Sequence, residues 1–548
     1  MIDLGTEDVI DSRVGVHDIH QFEVKLDYAI DATRRNNRYR IDTFFFVPYS
    51  LGVGPQSYSR DQFYADMQAY IRFKTPEMSL DHLLDPQSEL SPFARIERLA
   101  GAPTEAHDAG ALGDGALVDV ALADKLEHEL LLLGCLVRSN LRDRVHQIRA
   151  AFAGHEAGGG EVLAPGGSRR FEVLRPADVS DVCELLVDEI DRVIDRLRKL
   201  RTRAHADGWS VRLLEVIDLT DEYVSVNAEI QLTVLIAQID LETSLEGGFG
   251  QARAAMAARI LAERQHRRDN GYAAVLHDEG DNEHFIYRRS FLKKVVMSVL
   301  FLKIRRQSES DKAAGLAAAS TAALAMLVAT GAALVAQARY GVNTLPFVVA
   351  LVASYVVKDR IKEWLKHYLA GKLAPWIADY AVDIRDPSTD VAIGRCRETV
   401  TWLTAGRVPP DVWKLRHAGA DGSLEIRTKA ELVLHYRKQI KLRSEIIGDH
   451  HRRLHDINDI IRFDITPFLA RADNPLKPTS RYLADEDRVV SLMLPKVHHL
   501  NLVFVLTALD SDKPPQLERV RVVFDKAGIK RVEVPQNGDA PARRAGHG

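Results

Sequence analysis

Apolar positions along this chain follow different periods in different regions, and each period predicts a different kind of element. Phe22, Val24, Leu26 and Tyr28 alternate with Glu23, Lys25 and Asp27, the period-two pattern of a half-buried strand. A polar stretch over residues 33–38, with Asn36 and Asn37, separates it from a denser run of Tyr39, Ile41, Phe44, Phe45, Phe46 and Val47. The second run reads as a more buried strand, and residues 20–50 together as a β-hairpin. This hairpin is expected to form the centre of a β-rich region over residues 1–101. Residues 102–115, rich in Gly, Ala and Asp, read as a linker.

From about residue 117 the period becomes helical. Leu126, Leu130, Leu133, Val137, Leu141, Val145 and Ile148 define one face of a helix ending near Gly154. After a glycine-rich insertion, Val179, Cys183, Leu186, Ile190, Val193, Leu197 and Leu200 step by four and three in turn. That is a heptad seam, which packs lengthwise on another helix and makes Cys183 a packed thiol. Helices over 221–245 and 251–269 complete an expected cytosolic bundle, residues 116–284. Beyond Pro387 the pattern returns to strands, over 393–403, 423–433, 500–509, 520–524 and 529–534. The last two flank Asp525-Lys526-Ala527-Gly528, a hairpin turn signal. A helical piece is expected over 431–462, inside a C-terminal β-rich domain of residues 387–535 that the N-terminal hairpin joins. Residues 536–548 read as a disordered tail.

The middle of the chain departs from all of this. Residues 313–338 carry no charge in 26 positions, and residues 340–357 form a second charge-free run after Arg339. As helices they span roughly 39 Å and 27 Å, against a hydrocarbon core of about 30 Å. Leu316, Leu324, Met326, Leu327, Val328, Leu334 and Val335 surround the first run and leave it no polar stripe. A transmembrane helical hairpin over residues 313–366 is therefore expected. Gly315, Ala319 and Ala323, like Ala325, Ala329 and Ala333, recur every fourth residue, so backbones can approach closely along either row.

Charge gives the hairpin an orientation. Eight basic residues stand between Arg288 and Lys312 against Glu309 and Asp311. Five stand between Lys358 and Lys372 against Asp359 and Glu363. Both flanks being basic, the expected protein is a two-span inner-membrane protein with both termini cytoplasmic. Alanine, glycine and arginine usage suits a bacterium. Residues 285–312 mix Phe291, Leu292, Val295, Val296 and Phe301 with clustered cations, and residues 285–306 in particular suit a helix lying at the headgroups. Arg305, Arg306, Lys358, Lys362 and Lys366 are the expected membrane-interface residues, the three lysines forming a stripe beside Trp364 and Tyr368. The lipid bilayer is thus the first expected partner.

Bulk composition adds limits. A length of 548 residues implies several structural units, and 27% charged with 46% hydrophobic residues is ordinary for folded protein. A formal net charge of −4 gives no field that would draw the chain to nucleic acid. Three scattered cysteines, Cys135, Cys183 and Cys396, support neither a disulfide framework nor a zinc ribbon. Residues 1–14 are acidic and lack the apolar core of a signal peptide.

Chemical signatures are scarce. Gly371-Lys372 follows Lys366 where a phosphate loop needs glycine, and Gly52-Val53-Gly54 runs into Pro55. Gly166-Gly167-Ser168-Arg169-Arg170 lacks the last glycine of a nucleophile elbow. His128-Glu129 has no histidine at the metalloprotease spacing, and two spans without ionisable groups offer no transport path. One constellation remains. His451, His455 and Asp459, beside His450, fall at i, i+4 and i+8 of the expected helix, where imidazoles and a carboxylate could share a divalent metal. Against it, Arg452 and Arg453 would oppose a cation.

The reading is therefore an α+β membrane protein, a helical bundle plus β-rich cytosolic domains on a two-helix anchor. It is expected to be a non-enzymatic binding or scaffold protein without a cofactor, with an unidentified protein partner. Its own copies are expected to associate through the small-residue rows and the heptad seam. The alternatives are a metal-dependent hydrolase built on His451, His455 and Asp459, or a sensor of anionic lipid.

Overall fold

A computed structural model describes residues 14–101, 114–153, 162–163, 170–171, 179–241, 249–276, 282–340, 344–373, 378–418, 431–451, 453, 456–485 and 487–534. The expected linker up to residue 113, most of the glycine-rich insertion, residues 423–430 and the tail lie outside the described residues.

The N-terminal part holds β1 (Val14–Val16), β2 (Gln21–Tyr28), β3 (Asn37–Pro48), α1 (Arg60–Asp66), β4 (Met67–Phe73), α2 (Leu80–Leu84) and α3 (Pro92–Gly101). Then come α4 (Asp114–Ala153), the short strands β5 (Val162–Leu163) and β6 (Arg170–Phe171), α5 (Val179–Ala206), α6 (Val211–Leu241), α7 (Gly250–Asp269) and α8 (Glu283–Met297). Strand β7 (Lys303–Ser308) leads into α9 (Glu309–Arg339) and α10 (Leu345–Leu373). The chain continues through β8 (Tyr380–Arg385), β9 (Ala392–Leu403), α11 (Pro410–His417), β10 (Glu431–Leu442), α12 (Ser444–His450), β11 (Ile457–Asp464) and α13 (Thr466–Leu469). It finishes with β12 (Leu476–Leu483), β13 (Arg488–Pro495), β14 (His498–Ala508), β15 (Gln516–Asp525) and β16 (Gly528–Glu533). The protein is α+β.

Two antiparallel sheets draw their strands from both ends of the chain. The larger has the order β16-β15-β14-β3-β10-β9-β8-β7, the smaller β1-β2-β11-β4. The expected N-terminal strands form, but β2 and β3 do not pair with each other. β2 joins β11 and β3 sits between β14 and β10. Phe45 of β3 lies 5.2 Å from Phe463 of β11 and 5.7 Å from Phe63, so aromatic rings fill the space between the sheets. On the opposite face of β3, Phe44 and Phe46 are buried with Val412 of α11 and Val503 of β14. That two-sided burial is why the Phe44–Phe46 run is continuous instead of alternating.

At the sheet edges, the Ile529 amide donates to the Ile19 carbonyl at 2.7 Å. Gly528, with φ of +140°, is the residue that permits this approach, since a Cβ there would lie 2.6 Å from the Ile19 oxygen.

The expected helix over 431–462 is instead strand, short helix and strand: β10, α12 and β11. Along β10, Leu434, Tyr436, Ile440 and Leu442 are buried at alternate positions, with Lys438 in the place of the fifth apolar residue. Asp459 breaks the pattern of β11 in the same way.

In the helical part, every seam residue of α5 from Val179 to Leu200 is buried within the chain, against α6, α7 and α2. The seam is consumed inside one copy. α8 is likewise packed against the bundle along one side, with Ile286, Tyr287 and Phe291 exposed on the other. Phe285, Leu292 and Val296 are buried, and the helix contacts α4 and α6.

α9 and α10 pack against each other. Of the two small-residue rows, Ala325 is buried with Ala329 and Ala333 half-buried, while Gly315, Ala319 and Ala323 are exposed. Among the described residues, two helices are long and apolar enough, by length and composition alone, to cross a membrane: Val211–Leu241 and Ala318–Arg339; α10, the second expected span, is not one of them. Val211–Leu241 is 56% buried and serves as the core helix of the bundle, whereas Ala318–Arg339 is only 11% buried.

Candidate functional site

The outer face of the larger sheet carries a cleft of about 650 Å³. Strand alternation places its walls: Arg40, Asp42 and Phe44 project from β3, His435 and Arg437 from β10, and Val505 and Thr507 from β14. The register sets Arg437 opposite Asp42 and His435 opposite Phe44. Arg407, Pro409, Asp411 and Val412, from the segment entering α11, form the other rim.

Asp42, 6% exposed, organises the polar side of this cleft. His435 Nε2 lies 2.8 Å and Arg437 Nε 2.7 Å from its Oδ1, while Arg40 Nε lies 3.1 Å from Oδ2. A carboxylate only accepts, so the His435 proton sits on Nε2. The imidazole stacks on Phe44 with centroids 4.5 Å apart. Burial pushes the Asp42 carboxyl up, but the hydrogen bonds from His435 and Arg437 outweigh it and hold the group below its ordinary range. Three guanidinium groups and two carboxylates line the cleft, leaving it positive beside an apolar floor of Phe44, Leu403, Val412, Val505 and Leu517. Planar arginine donors suit a carboxylate or phosphate group. The lining supplies no serine or cysteine nucleophile.

The metal-ligand spacing does not form. His451 follows α12, Asp459 lies on β11, and His455 lies outside the described residues, so the i, i+4, i+8 arrangement of one helix is absent. His451 Nε2 meets Asp386 Oδ2 at 3.0 Å, and its ring packs 4.6 Å from Phe73. Asp459 is bound to Lys438 instead. Among the described residues, no group of three His, Cys, Asp or Glu side chains is placed to hold a metal ion.

Asp386 also accepts from the Ser388 amide and hydroxyl at 2.9 and 2.8 Å and from Thr389 at 3.0 Å. Burial pushes its carboxyl up, yet the hydrogen bonds from His451 and Ser388 prevail and hold it well below the usual range. A carboxylate depressed in this way contributes stability above its unfolded value of about 3.9, and that contribution is lost as pH falls through the folded value. Asp386→Asn is therefore expected to cost roughly 1–2 kcal/mol at pH 7, with the difference from the parent shrinking below about pH 4. Urea midpoints at pH 7, 5 and 3 measure this; a pH-independent difference contradicts it.

Two further polar clusters are buried. Between the sheets, Lys438 Nζ lies 2.6 Å from Asp459 Oδ2 and 3.9 Å from Glu398, with Tyr28 donating to Asp459 at 2.9 Å and Tyr436 to Glu398 at 3.0 Å. In the bundle, α6 buries Asp221, Glu222 and Glu229, which meet His266, Arg288, Arg264 and Arg267. These pairings make α6 a helix of the protein interior despite its apolar composition. Both clusters hold elements together.

The expected interface residues divide. Arg305 and Arg306 lie on β7, where Arg306 is committed to Glu398 at 3.4 Å and to the rings of Tyr64 and Tyr380. Lys358 sits 3.7 Å over the Tyr355 ring, and Lys362 is exposed on α10. The side chain of Lys366 lies outside the described residues. No sequence signal pointed to the cleft, because its residues come from five strands and a helix far apart along the chain.

The chain matches no protein-family model, no curated protein and no solved structure.

Proposed function

We propose that this chain is a membrane-anchored binding protein, with an α+β body held in the cytosol by the α9–α10 hairpin and both termini on that side. The observation that carries the reading is the outward-facing apolar surface of the pair. Leu316, Leu327, Leu334, Leu345 and Val352 are 59–78% exposed, on the charge-free residues 313–338 of α9 and the charge-free residues 345–357 that begin α10. Such a surface is costly in water and suited to hydrocarbon. On this reading Arg305, Lys358 and Lys362 stand at the feet of the hairpin, at headgroup level. Membrane vesicles washed with sodium carbonate are expected to retain the full chain in the pellet. Its release into the supernatant ends the proposal.

Within the body, the Asp42–His435–Arg437 cleft is the proposed binding site, for a small ligand with an anionic group against an apolar portion. Inorganic phosphate at constant ionic strength is expected to raise the melting temperature of the parent, as binding to the folded state alone must. Arg407→Ala/Arg437→Ala is expected to abolish that rise. An equal rise in both proteins removes the cleft from the reading.

A further inference from the structure

Where α9 ends and α10 begins sets the length of apolar helix that the hairpin offers to lipid. α9 ends at Arg339 and α10 begins at Leu345. Of the charge-free run 340–357, only the thirteen residues 345–357 are therefore left in α10. They rise about 20 Å, against a hydrocarbon core of about 30 Å. Asp359, Arg360, Lys362 and Glu363 follow, all exposed. Lys358 adds no reach toward water, since its Nζ lies 3.7 Å over the Tyr355 ring, on the apolar side of its own position.

α9 shows the same limit. A short link makes the two packed helices antiparallel, so residues equally far from it stand at one level, Met326 beside Lys358. Among the described residues, seven large apolar side chains are exposed on α9. Five of them, Met326, Leu327, Val328, Leu334 and Val335, lie between that level and the link. Beyond it come only Leu316 and Leu324, in a stretch otherwise of Ala, Gly, Ser and Thr. Arg339 and Tyr340 close the band at the link. Past the charges at its other end, Trp364 stacks on Tyr368 at 5.5 Å.

We propose that this anchor is built for a hydrocarbon layer of about 20 Å, so that it crosses a bilayer of ordinary thickness by thinning the lipid around it. The inference rests on the membrane reading above and names the kind of membrane that fits it. Tilt cannot close the difference, because tilting shortens a span. Insertion into undeformed lipid would bury Asp359, Arg360, Lys362 and Glu363 in hydrocarbon, or Arg339 from the other side. Deforming the lipid costs less than burying four charged side chains.

The full chain, reconstituted into phosphatidylcholine vesicles with acyl chains of 14 or 22 carbons, is expected to resist carbonate extraction roughly threefold better in the thinner ones. Lys358→Leu/Asp359→Leu/Arg360→Leu/Lys362→Leu lengthens the apolar part of α10 to about 27 Å and is expected to erase that preference. Small-angle X-ray scattering needs no variant. With the parent in 18-carbon vesicles, the headgroup spacing is expected to fall as protein is added. Thr344→Cys, next to the start of α10, is expected to react with a membrane-impermeant maleimide applied outside spheroplasts, the native cysteines being buried. Equal retention at both chain lengths, or an unchanged headgroup spacing, overturns the proposal and leaves the chain a membrane protein. So does a Thr344→Cys thiol shielded until detergent is added, which stops the tip inside the lipid. Release from every vesicle overturns the membrane reading and this inference with it.

Discussion

Lys438→Met is expected to lower the stability of the β-rich body by about 3–5 kcal/mol, the largest single-residue effect anticipated outside the aromatic core. Lys438 is 1% exposed and Asp459 fully buried. Burial works against the lysine charge, but Asp459 and, at greater distance, Glu398 more than offset it, holding the ammonium above its ordinary pKa. A lysine raised in this way contributes fully below its unfolded value, about 10.4, and loses the contribution only as pH rises through the folded one. The pair therefore persists across the working pH range. Removing the cation leaves Asp459 uncompensated in a low-dielectric core, with one carboxylate oxygen already lacking a hydrogen-bond partner. Lys438→Met/Asp459→Leu is expected to recover most of the loss, since apolar residues of similar volume often replace a buried pair without net cost. Urea midpoints of the four proteins of this cycle decide the matter. A single-variant loss under about 1 kcal/mol, or no recovery in the double variant, contradicts the account.

Arg267→Met is expected to cost the helical bundle about 2–4 kcal/mol. Arg267 is fully buried. Its Nε donates to the Ala274 carbonyl at 2.8 Å, one terminal nitrogen donates to Ser225 Oγ at 2.7 Å, and the other bonds Glu229. Methionine fills the volume and satisfies none of the three. Arg264, 2.6 Å from Glu229, still compensates that carboxylate, which places the loss below that of the Lys438 pair. Arg267→Lys is expected to recover little, because an ammonium cannot reproduce three donors in a planar fork. Hydrogen exchange along α6 and α7 measures the effect. Protection equal to that of the parent shows that the network contributes nothing.

These two clusters also separate what was legible in the residues from what was not. The α5 seam, the alternation of β2 and the turn before Gly528 are local patterns, and each corresponds to a described element. β10 and β11 were not legible as strands, because each carries a buried charge at an inward position where alternation calls for an apolar side chain. Lys438 alone argues against a core strand, as does Asp459 alone; each makes sense only beside the other. For the same reason His451 and Asp459 read as neighbours on a helix when they bind different partners. The cleft shows the same limit: Asp42 and His435 are 393 positions apart, and nothing near either one announces the other.

By itself, the sequence determined the elements with a clean period of two or near 3.6, the mixed helix-and-strand class and the exceptional apolar content of α9 and α10. Side-chain periodicity is set by backbone geometry within a few residues, so it can be read along the chain. Tertiary structure alone decided which strands pair, why charges sit inside, that the α5 seam is satisfied within one copy, and where a cleft opens. Those outcomes depend on contacts between segments hundreds of residues apart, whose free energy has no local signature.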